Sequence, residues 1–186
     1  MIRIASIVAL ATIASGAMAE TCPPADPDLD RRDEILRRVQ QAPDARSGQI
    51  LANELWEIWA EAPDAHAQEL LDEGIDRRAA FDLANAEAAF EALIAYCPDY
   101  AEGYNQRAFV LFIRQDFALA LEDLHRALDR SPEHLGALTG RAMTYMALGR
   151  NRDALTDLEA ALTMNPWLKE RDLVPVLRHR LGEQDL

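Results

Sequence analysis

The sequence predicts an all-α fold in which antiparallel helix hairpins stack side by side. The chain is rich in Ala and Leu and has only 6% aromatic residues, its apolar positions recur at helical spacing, and Pro98, Pro132 and Pro166 lie 34 residues apart. A unit of this length holds two helices and a turn, and proline ends the second helix because it cannot continue the helical hydrogen bonding. The predicted hairpins are 67–100, 101–134 and 135–168.

The charge balance bears on the kind of partner. The chain has 19 basic and 32 acidic residues, which gives a net charge of −13. The basic residues are interspersed among the carboxylates, whereas nucleic acid binding needs clustered Lys and Arg that release counterions. The sequence therefore predicts no nucleic acid partner, and it disfavours an anionic membrane surface for the same reason.

Residues 1–19 have the layout of a secretory signal peptide. A positive charge at Arg3 precedes an apolar run from Ile4 to Ala14, and small residues precede the predicted cleavage point after Ala19. The run is shorter than the roughly 20 residues that a membrane-spanning helix needs, so an uncleaved anchor is the less favoured alternative. The sequence predicts a periplasmic or secreted protein with no stable membrane insertion after cleavage.

Export changes the meaning of the two cysteines, because an oxidising compartment permits a disulfide. Cys22 lies in a proline-rich lead over residues 20–30, and Cys97 precedes Pro98 at a repeat boundary. A bond between them would staple the lead to the first inter-repeat turn and contribute about 4 kcal/mol in the chain-entropy model. The alternative is a free thiol at Cys22 and a small buried apolar residue at Cys97, and the sequence does not decide between the two.

Residues 31–66 are predicted to form a hairpin of their own. Asp30 or Asp33 can cap its first helix, and the 34-residue period projected backwards places Trp56 and Trp59 in its second helix. Tryptophan is too large for the position of Trp59, where the later repeats have small residues. We therefore interpret this segment as a degenerate, capping hairpin.

The three repeats share small and large residues at fixed positions. The 34-residue spacing relates Ala86 to Ala120 and Ala154, and Phe90 to Leu124 and Leu158. Small residues let neighbouring helices approach closely, while the large ones fill the space beside them. Beyond the repeats, residues 169–186 are predicted to form a C-terminal capping helix, which Pro175 splits or kinks, and a tail.

These residues resemble the tetratricopeptide repeat, and the resemblance covers 102 residues in three units. In the middle repeat the family pattern falls on Tyr104, Ala108, Leu111, Ala120, Leu124, Ala127 and Pro132. The resemblance implies a right-handed superhelix of antiparallel helix hairpins, whose concave groove holds an extended peptide or a partner helix. The groove-facing positions that it implies are Leu71, Ile75, Arg78, Asn105, Phe109, Phe112, Thr139, Met143 and Met146, with Glu102 also among them.

The implied groove has a distinct chemical character. An apolar, adaptable patch, flanked by the amide of Asn105 and the charge of Arg78, would be formed by Phe109, Phe112, Met143 and Met146. That composition suits an apolar peptide or helix. The clamp for peptide C-termini found in some members of the family uses lysines that are missing here, so that role is not predicted. As an alternative, the N-terminal hairpin fills the groove, and the sequence leaves the two open.

No residue set predicts catalysis, a metal site or a cofactor. The four histidines are far apart and lack partners at metal-ligand spacing, so they are predicted to lie at the surface or its boundary. They are His66, His125, His134 and His179. The acidic residues on the second helices, including Asp123 and Asp157, are predicted to lie on solvated faces.

The sequence therefore predicts a non-enzymatic scaffold or adaptor of the bacterial cell envelope, similar to small proteins of this family in Gram-negative bacteria. Its predicted partner is another protein or a peptide, bound in the concave groove. One alternative is a homodimer formed through Trp56, Trp59 and Trp167. Another is a non-catalytic accessory subunit of an envelope enzyme.

Overall fold

The computed structural model describes residues 21–25 and 28–182, and among these it contains helices and no strand. The all-α prediction is confirmed. Eight helices form four hairpins, followed by a short 3-10 helix and a last α-helix. Their bounds are α1 Leu29–Gln40, α2 Ala45–Trp59, α3 Ala65–Ala79, α4 Leu83–Tyr96, α5 Ala101–Ile113, α6 Phe117–Arg130, α7 Leu135–Ala147, α8 Asn151–Met164, the 3-10 helix Lys169–Asp172 and α9 Leu173–Arg180. The predicted signal peptide lies outside the described residues.

Aspartate side chains begin the first three helices. Asp28, Asp44 and Asp64 each accept a hydrogen bond from a backbone N–H in the first turn, which satisfies a donor that the helix itself leaves unpaired. The sequence prediction of Asp30 or Asp33 as the cap of α1 is wrong, since the helix begins earlier, after Asp28. The prediction failed because Asp28 also has a carboxylate that reaches a backbone N–H of the first turn, that of Arg31.

The turns inside the three repeats share one strained backbone geometry. Phe81, Gln115 and Gly149 have φ values of 62°, 66° and 75°. They lie 34 residues apart, so the left-handed turn recurs with the period. Of the three residues, only Gly149 adopts this region without a steric cost, because glycine has no Cβ atom.

The repeats stack as the spacing predicts. Within each hairpin α3 packs on α4, α5 on α6 and α7 on α8, while α4 packs on α5 and α6 on α7. Ala86, Ala120 and Ala154 are fully buried where the helices approach closely. A Cβ at Gly74 would lie 2.3 Å from the ring of Phe90, so this crossing also needs its small residue.

The second and the third repeat each contain an ion pair that joins their two helices. Arg107 donates to Asp123 through Nε at 2.7 Å and Nη2 at 2.8 Å, and Arg141 binds Asp157 with the same geometry. The Asp123 and Asp157 side chains are only 3% and 9% exposed, so their predicted position on solvated faces is wrong. The arginines lie on the first helices and remove the acids from solvent.

The N-terminal hairpin packs against the end of the third repeat. α1 contacts α8, the Gln40 side chain donates to the carbonyl of Thr163 at 3.1 Å, and the Trp167 indole donates to the carbonyl of Val39 at 3.0 Å. A Cβ at Gly48 would lie 2.2 Å from the Trp167 ring, so only glycine allows this approach. The hairpin therefore bridges the two ends of the stack.

Cys22 and Cys97 form a disulfide, which resolves the alternatives that the sequence left open. Their Cα atoms are 5.2 Å apart, and the bond ties the lead to the end of α4. Cys97 is 1% exposed and belongs to the core of the first repeat, against which Cys22 and Ala25 also pack.

The C-terminal cap closes the other end. Pro175 lies in the first turn of α9, where its missing N–H has no helical partner to lose. Leu177 is fully buried against Ala154, Leu155 and Leu158 of α8. The short 3-10 helix and α9 together form the cap that the sequence predicts here, with the break two residues before Pro175.

Candidate functional groove

A cavity of about 810 Å³ lies on the face formed by α5 and α7. Its walls come from these two helices, from α2, from Leu124 of α6 and from the segment that follows α8. The lining residues are Gln49, Trp56, Asn105, Ala108, Phe109, Phe112, Leu124, Leu135, Thr139, Gly140, Met143, Thr144, Leu168, Lys169, Glu170 and Leu173. The size and the largely apolar lining suit side chains of a bound peptide or helix.

Two apolar walls of this cavity remain open to solvent. Phe109 is 50% exposed and Met143 is 38% exposed, although both are large apolar side chains. Phe112 lies deeper and packs edge to face against Phe117 at 5.3 Å between ring centroids. A partner that covered Phe109 and Met143 would remove apolar surface from water, which is the main favourable contribution to association.

The structure brings together five of the nine groove residues implied by the sequence. Asn105, Phe109, Phe112, Thr139 and Met143 line the cavity. The other four, Leu71, Ile75, Arg78 and Met146, do not line it.

Three of these four residues contribute to packing. Leu71 is fully buried in the core of the first repeat, and Ile75 packs against the same core. Met146 packs against the core formed by α8 and α9. The first repeat therefore adds little apolar surface to the groove.

Arg78 reaches the edge of the groove without lining the cavity. Its guanidinium carbon lies 4.5 Å from the centroid of the Phe109 ring, in a cation–π contact. Its Nη1 donates to the side-chain oxygen of Gln106. Arg78 thus borders the exposed aromatic wall.

The N-terminal hairpin forms one wall of the groove and leaves the remainder unfilled. Trp56 and Gln49 line the cavity, and a Cβ at Gly136 would lie 2.6 Å from the Trp56 ring. Trp59 lies deeper and stacks on His134 at 4.7 Å between ring centroids. The sequence left open whether the groove is free for a ligand or filled by the N-terminal hairpin. Each alternative holds in part, because the hairpin occupies one side and a cavity remains. Trp59 is 6% exposed, so it is not available for the predicted homodimer contact.

A buried polar network lies beneath the groove. Glu102 is 2% exposed and accepts hydrogen bonds from the amides of Asn105 and Gln106. His134 Nε2 lies 2.8 Å from Glu102 Oε2, and its Nδ1 accepts the N–H of Ala137. Since Nδ1 accepts, the proton belongs on Nε2, which donates to Glu102.

This network corrects two expectations. His134 is 1% exposed, so its predicted place at the surface or its boundary is wrong. Glu102 was implied to face the groove and instead satisfies the buried imidazole. Sequence reasoning missed this pairing because the two residues are 32 positions apart, at opposite ends of the middle repeat. The only local signal is that His134 directly precedes α7, where a side-chain cap is favoured.

A second cavity of about 600 Å³ has Ser131, His134 and Glu102 in its wall. These residue types invite comparison with a nucleophile, a base and an orienting carboxylate. However, both nitrogens of His134 are engaged, one by Glu102 and the other by a backbone N–H. The imidazole therefore has no free nitrogen to accept a proton from Ser131 in this arrangement.

Residues 21–25 and 28–182 contain no group of three or more His, Cys, Asp and Glu side chains that could hold a metal ion. No helix in these ranges has the length and the apolar content needed to cross a membrane.

Comparisons with known proteins agree with the stacked hairpins. A family model described as "Tetratricopeptide repeat" matches residues 111–167. A TPR repeat-containing protein of Rhizobium etli is 27% identical over 154 residues, which cover 80% of this chain and 68% of that protein. The TPR2B domain of yeast Sti1, solved in a complex with pHsp70, is 26% identical, with a TM-score of 0.57 over 66% of this chain and 100% of that one.

A mouse protein extends the similarity over most of both sequences. Tetratricopeptide repeat protein 36 of Mus musculus is 30% identical over 155 residues, which cover 76% of this chain and 83% of the relative. The matched span includes residues outside the three regular repeats, because it is longer than the 102 residues that they occupy. By its sequence and by its stacked hairpins, the chain belongs to the tetratricopeptide repeat family.

Proposed function

We propose that this protein is an adaptor that binds a peptide or a helix of another protein in the groove between α5 and α7. One observation carries the proposal: Phe109 and Met143 stay 50% and 38% exposed in the walls of a cavity of about 810 Å³. Large apolar side chains that remain open in a preformed cavity are typical of a binding surface. The complex of the yeast Sti1 domain with pHsp70 supports a protein or peptide as the class of partner.

The ligand engages the groove by its side chains. Met143 is unbranched and adapts to different apolar shapes, while Phe109 offers a flat aromatic face. Asn105 and Thr139 are the polar groups that line the same cavity, and they fix the orientation of a bound backbone. Trp56 of the N-terminal hairpin forms one wall of the cavity and therefore limits the length of the ligand.

A matched pair of variants tests the groove. Phe109→Glu places a charge in the cavity wall, whereas Leu119→Glu places the same charge at a residue that is 51% exposed and does not line the cavity. Partners are identified by crosslinking in the native cell, with a photoreactive phenylalanine analogue at position 112 in each background. Partners lost in the Phe109 variant and retained in the Leu119 variant support the proposal. Identical crosslinks in both variants contradict it.

The site of action belongs to the proposal as well. The signal-peptide layout of residues 1–19 supports export to the bacterial envelope, and the Cys22–Cys97 disulfide is compatible with an oxidising compartment. Mass spectrometry of the mature protein is expected to find Glu20 at the N-terminus. Retention of Met1 contradicts export by this route.

A further inference from the structure

Residues 22–25, which we call the strap, run from the disulfide to the second cavity. Pro24 and Ala25 form part of the wall of this cavity, whose volume is about 600 Å³. The same two residues also line a neighbouring cavity of about 450 Å³, beside the end of α4. Because empty space borders the strap in both cavities, packing alone holds it weakly.

Hydrogen bonds do not hold the strap either. Pro23 and Pro24 have no backbone N–H to donate, and within the described part of the chain no hydrogen bond joins the strap to another element. The remaining contacts are those of Cys22 and Ala25 with the apolar core of the first repeat. The disulfide to Cys97 is therefore the main attachment of the strap.

The other end of the disulfide is fixed independently of the bond. Cys97 is buried in the core of the first repeat. Just after it, the Pro98 carbonyl accepts a hydrogen bond from Arg130 Nε at 2.6 Å, and the Tyr100 hydroxyl donates to the carbonyl of Trp59 at 2.7 Å. These contacts do not need the S–S bond, so opening it frees the strap and leaves the repeat in place.

The second cavity and the groove are connected by the buried polar network. Trp59, Glu102 and His134 line the second cavity, and all three are buried. Asn105 lines the groove, and its amide donates to Glu102 at 2.9 Å. The hydrogen bond that orients this amide in the groove thus ends on a carboxylate in the wall of the second cavity.

We infer that the Cys22–Cys97 disulfide is a redox-sensitive latch: its reduction frees the strap, opens the second cavity to water and weakens binding in the groove. Water that reaches Glu102 competes with the Asn105 amide for the carboxylate, so the amide loses its fixed orientation. The effect on the groove rests on the proposed function, whereas the release of the strap does not. The oxidised chain is then the binding form, in keeping with an oxidising compartment.

A dithiol reductant supplies the two electrons that open the latch. One of its thiolates attacks Cys22, which is half-buried, because Cys97 is 1% exposed and out of reach. The S–S bond breaks, and Cys97 leaves as a thiolate and takes up a proton. The second thiol of the reductant then displaces Cys22 from the mixed disulfide. Cys22 becomes a thiol, and the reductant leaves as a disulfide.

Fluorine NMR of protein labelled with 5-fluorotryptophan tests the release of the strap. Each of the three tryptophans gives one signal, and the difference between its shifts in H₂O and D₂O grows with exposure to water. Trp59 lines the second cavity, while Trp167 packs against Gly48 and serves as an internal control. We expect reduction with dithiothreitol to increase the solvent-dependent shift of Trp59 and to leave that of Trp167 unchanged.

Two variants attribute the change to the latch. Cys22→Ser removes the bond at its half-buried end and keeps Cys97 in the core, so it should reproduce the reduced state and give no response to dithiothreitol. Leu158→Ala is the control for lower stability alone, because it removes a buried side chain that lines neither cavity. That control should keep the Trp59 signal of the oxidised protein. Circular dichroism establishes that each variant is folded.

A blocked Phe-Leu dipeptide, which is apolar and uncharged, tests the link to the groove. Binding is followed by the NMR shift of a ¹³C-labelled Met143 methyl group in the groove, and Met146, which packs elsewhere, serves as the control. We expect binding to weaken about twofold to tenfold on reduction and in Cys22→Ser, as for the loss of one oriented hydrogen bond. Leu158→Ala should bind the dipeptide as tightly as wild type.

The negative results separate this inference from the proposed function. An unchanged Trp59 signal on reduction overturns the latch, and so does a Cys22→Ser chain that fails to fold, since the bond would then hold the repeat itself. A changed Trp59 signal with unchanged dipeptide binding overturns the link to the groove and leaves the groove proposal standing. If the oxidised wild type does not bind the dipeptide, the proposed function fails, while the Trp59 signal still decides whether the strap is released.

Discussion

Removal of the Asp123 carboxylate tests whether the ion pair inside the second repeat stabilises the stack. Asp123 lies on α6 with its side chain 3% exposed, and Arg107 on α5 binds it through two hydrogen bonds of 2.7 and 2.8 Å. These bonds raise the pKa of Arg107 above its ordinary value, which shows that the charged form of the pair is favoured. The change Asp123→Ala removes both acceptors and leaves the cation in place.

The expected loss in the free energy of unfolding depends on how well water can hydrate the Arg107 guanidinium once Asp123 is removed. Breaking a fully buried pair costs about 3 to 5 kcal/mol, because the remaining charge has no partner. The Arg107 side chain is 17% exposed, so its guanidinium recovers some hydration when the acid is lost. We therefore expect a loss of about 2 to 3 kcal/mol in the free energy of unfolding, below the fully buried range but well above a surface pair.

Urea denaturation followed by circular dichroism measures this loss. The control is Glu159→Ala, which removes the acid of an exposed pair: Arg178 and Glu159 lie 2.9 Å apart and are 43% and 48% exposed. The control should change the free energy of unfolding by about 0.5 kcal/mol or less. A loss for Asp123→Ala that is no larger than the control would refute the reasoning, as would a double variant with Arg107→Met that is no more stable than Asp123→Ala alone.

Three more predictions concern the disulfide, a turn and an N-cap. Replacing Cys22 and Cys97 by Ser should lower the free energy of unfolding by about 4 kcal/mol, and dithiothreitol should have no further effect on that variant. Gly149→Ala should cost about 1 kcal/mol in urea denaturation, since φ is 75° there and no neighbour lies near enough for the new methyl group to pack against. Hydrogen bonds from Ala67 N–H and the Tyr96 hydroxyl lower the pKa of Asp64 from its ordinary 3.8, so its stabilisation is complete above that pH and is lost as the pH falls through the folded-state pKa. The difference in melting temperature between wild type and Asp64→Asn should therefore shrink from pH 6 to pH 3, and a constant difference contradicts the assignment.

The parts of the fold that could be predicted from sequence depend on short-range patterns. Ala120 and Ala154 are fully buried, as their 34-residue spacing indicates, because a helix crossing needs a small residue at the same point in every repeat. Phe109 and Met143 could be placed in the groove for the same reason, since neighbouring repeats present equivalent positions to one face.

The long-range contacts could not be derived in this way. Nothing in the local pattern around Trp59 shows that its ring stacks on His134, which lies 75 positions later in the chain. The burial of Asp123 had a detectable signal, because Arg precedes Asp by 16 positions in two successive repeats. The first repeat has Glu73 and Ala89 at the equivalent positions, so the Arg–Asp spacing does not recur in all three repeats and is difficult to recognise.

The groove and the N-terminal hairpin are joined by one chain of contacts, which bears on whether the hairpin can act as a lid. Trp59 stacks on His134, His134 donates to Glu102, and Gln106 links Glu102 to Arg78 at the edge of the groove. Loss of the Trp59 ring leaves a cavity beside a buried imidazole and should cost about 3 to 5 kcal/mol in the free energy of unfolding.

Because the same network orients the groove, we expect Trp59→Ala to unfold in a single transition at a lower temperature and to bind a blocked Phe-Leu dipeptide in the groove less tightly than wild type. A removable lid would behave in the opposite way: the hairpin would melt in a separate early transition, and the dipeptide would bind more tightly once Trp59 was gone. Calorimetry measures the unfolding, and the NMR shift of a ¹³C-labelled Met143 methyl group measures the binding. The contacts favour the first outcome, since every opening of the hairpin would break the stacking of Trp59 on His134 and expose to water the pair of His134 and Glu102, which is 2.8 Å apart and shielded from solvent in the closed structure.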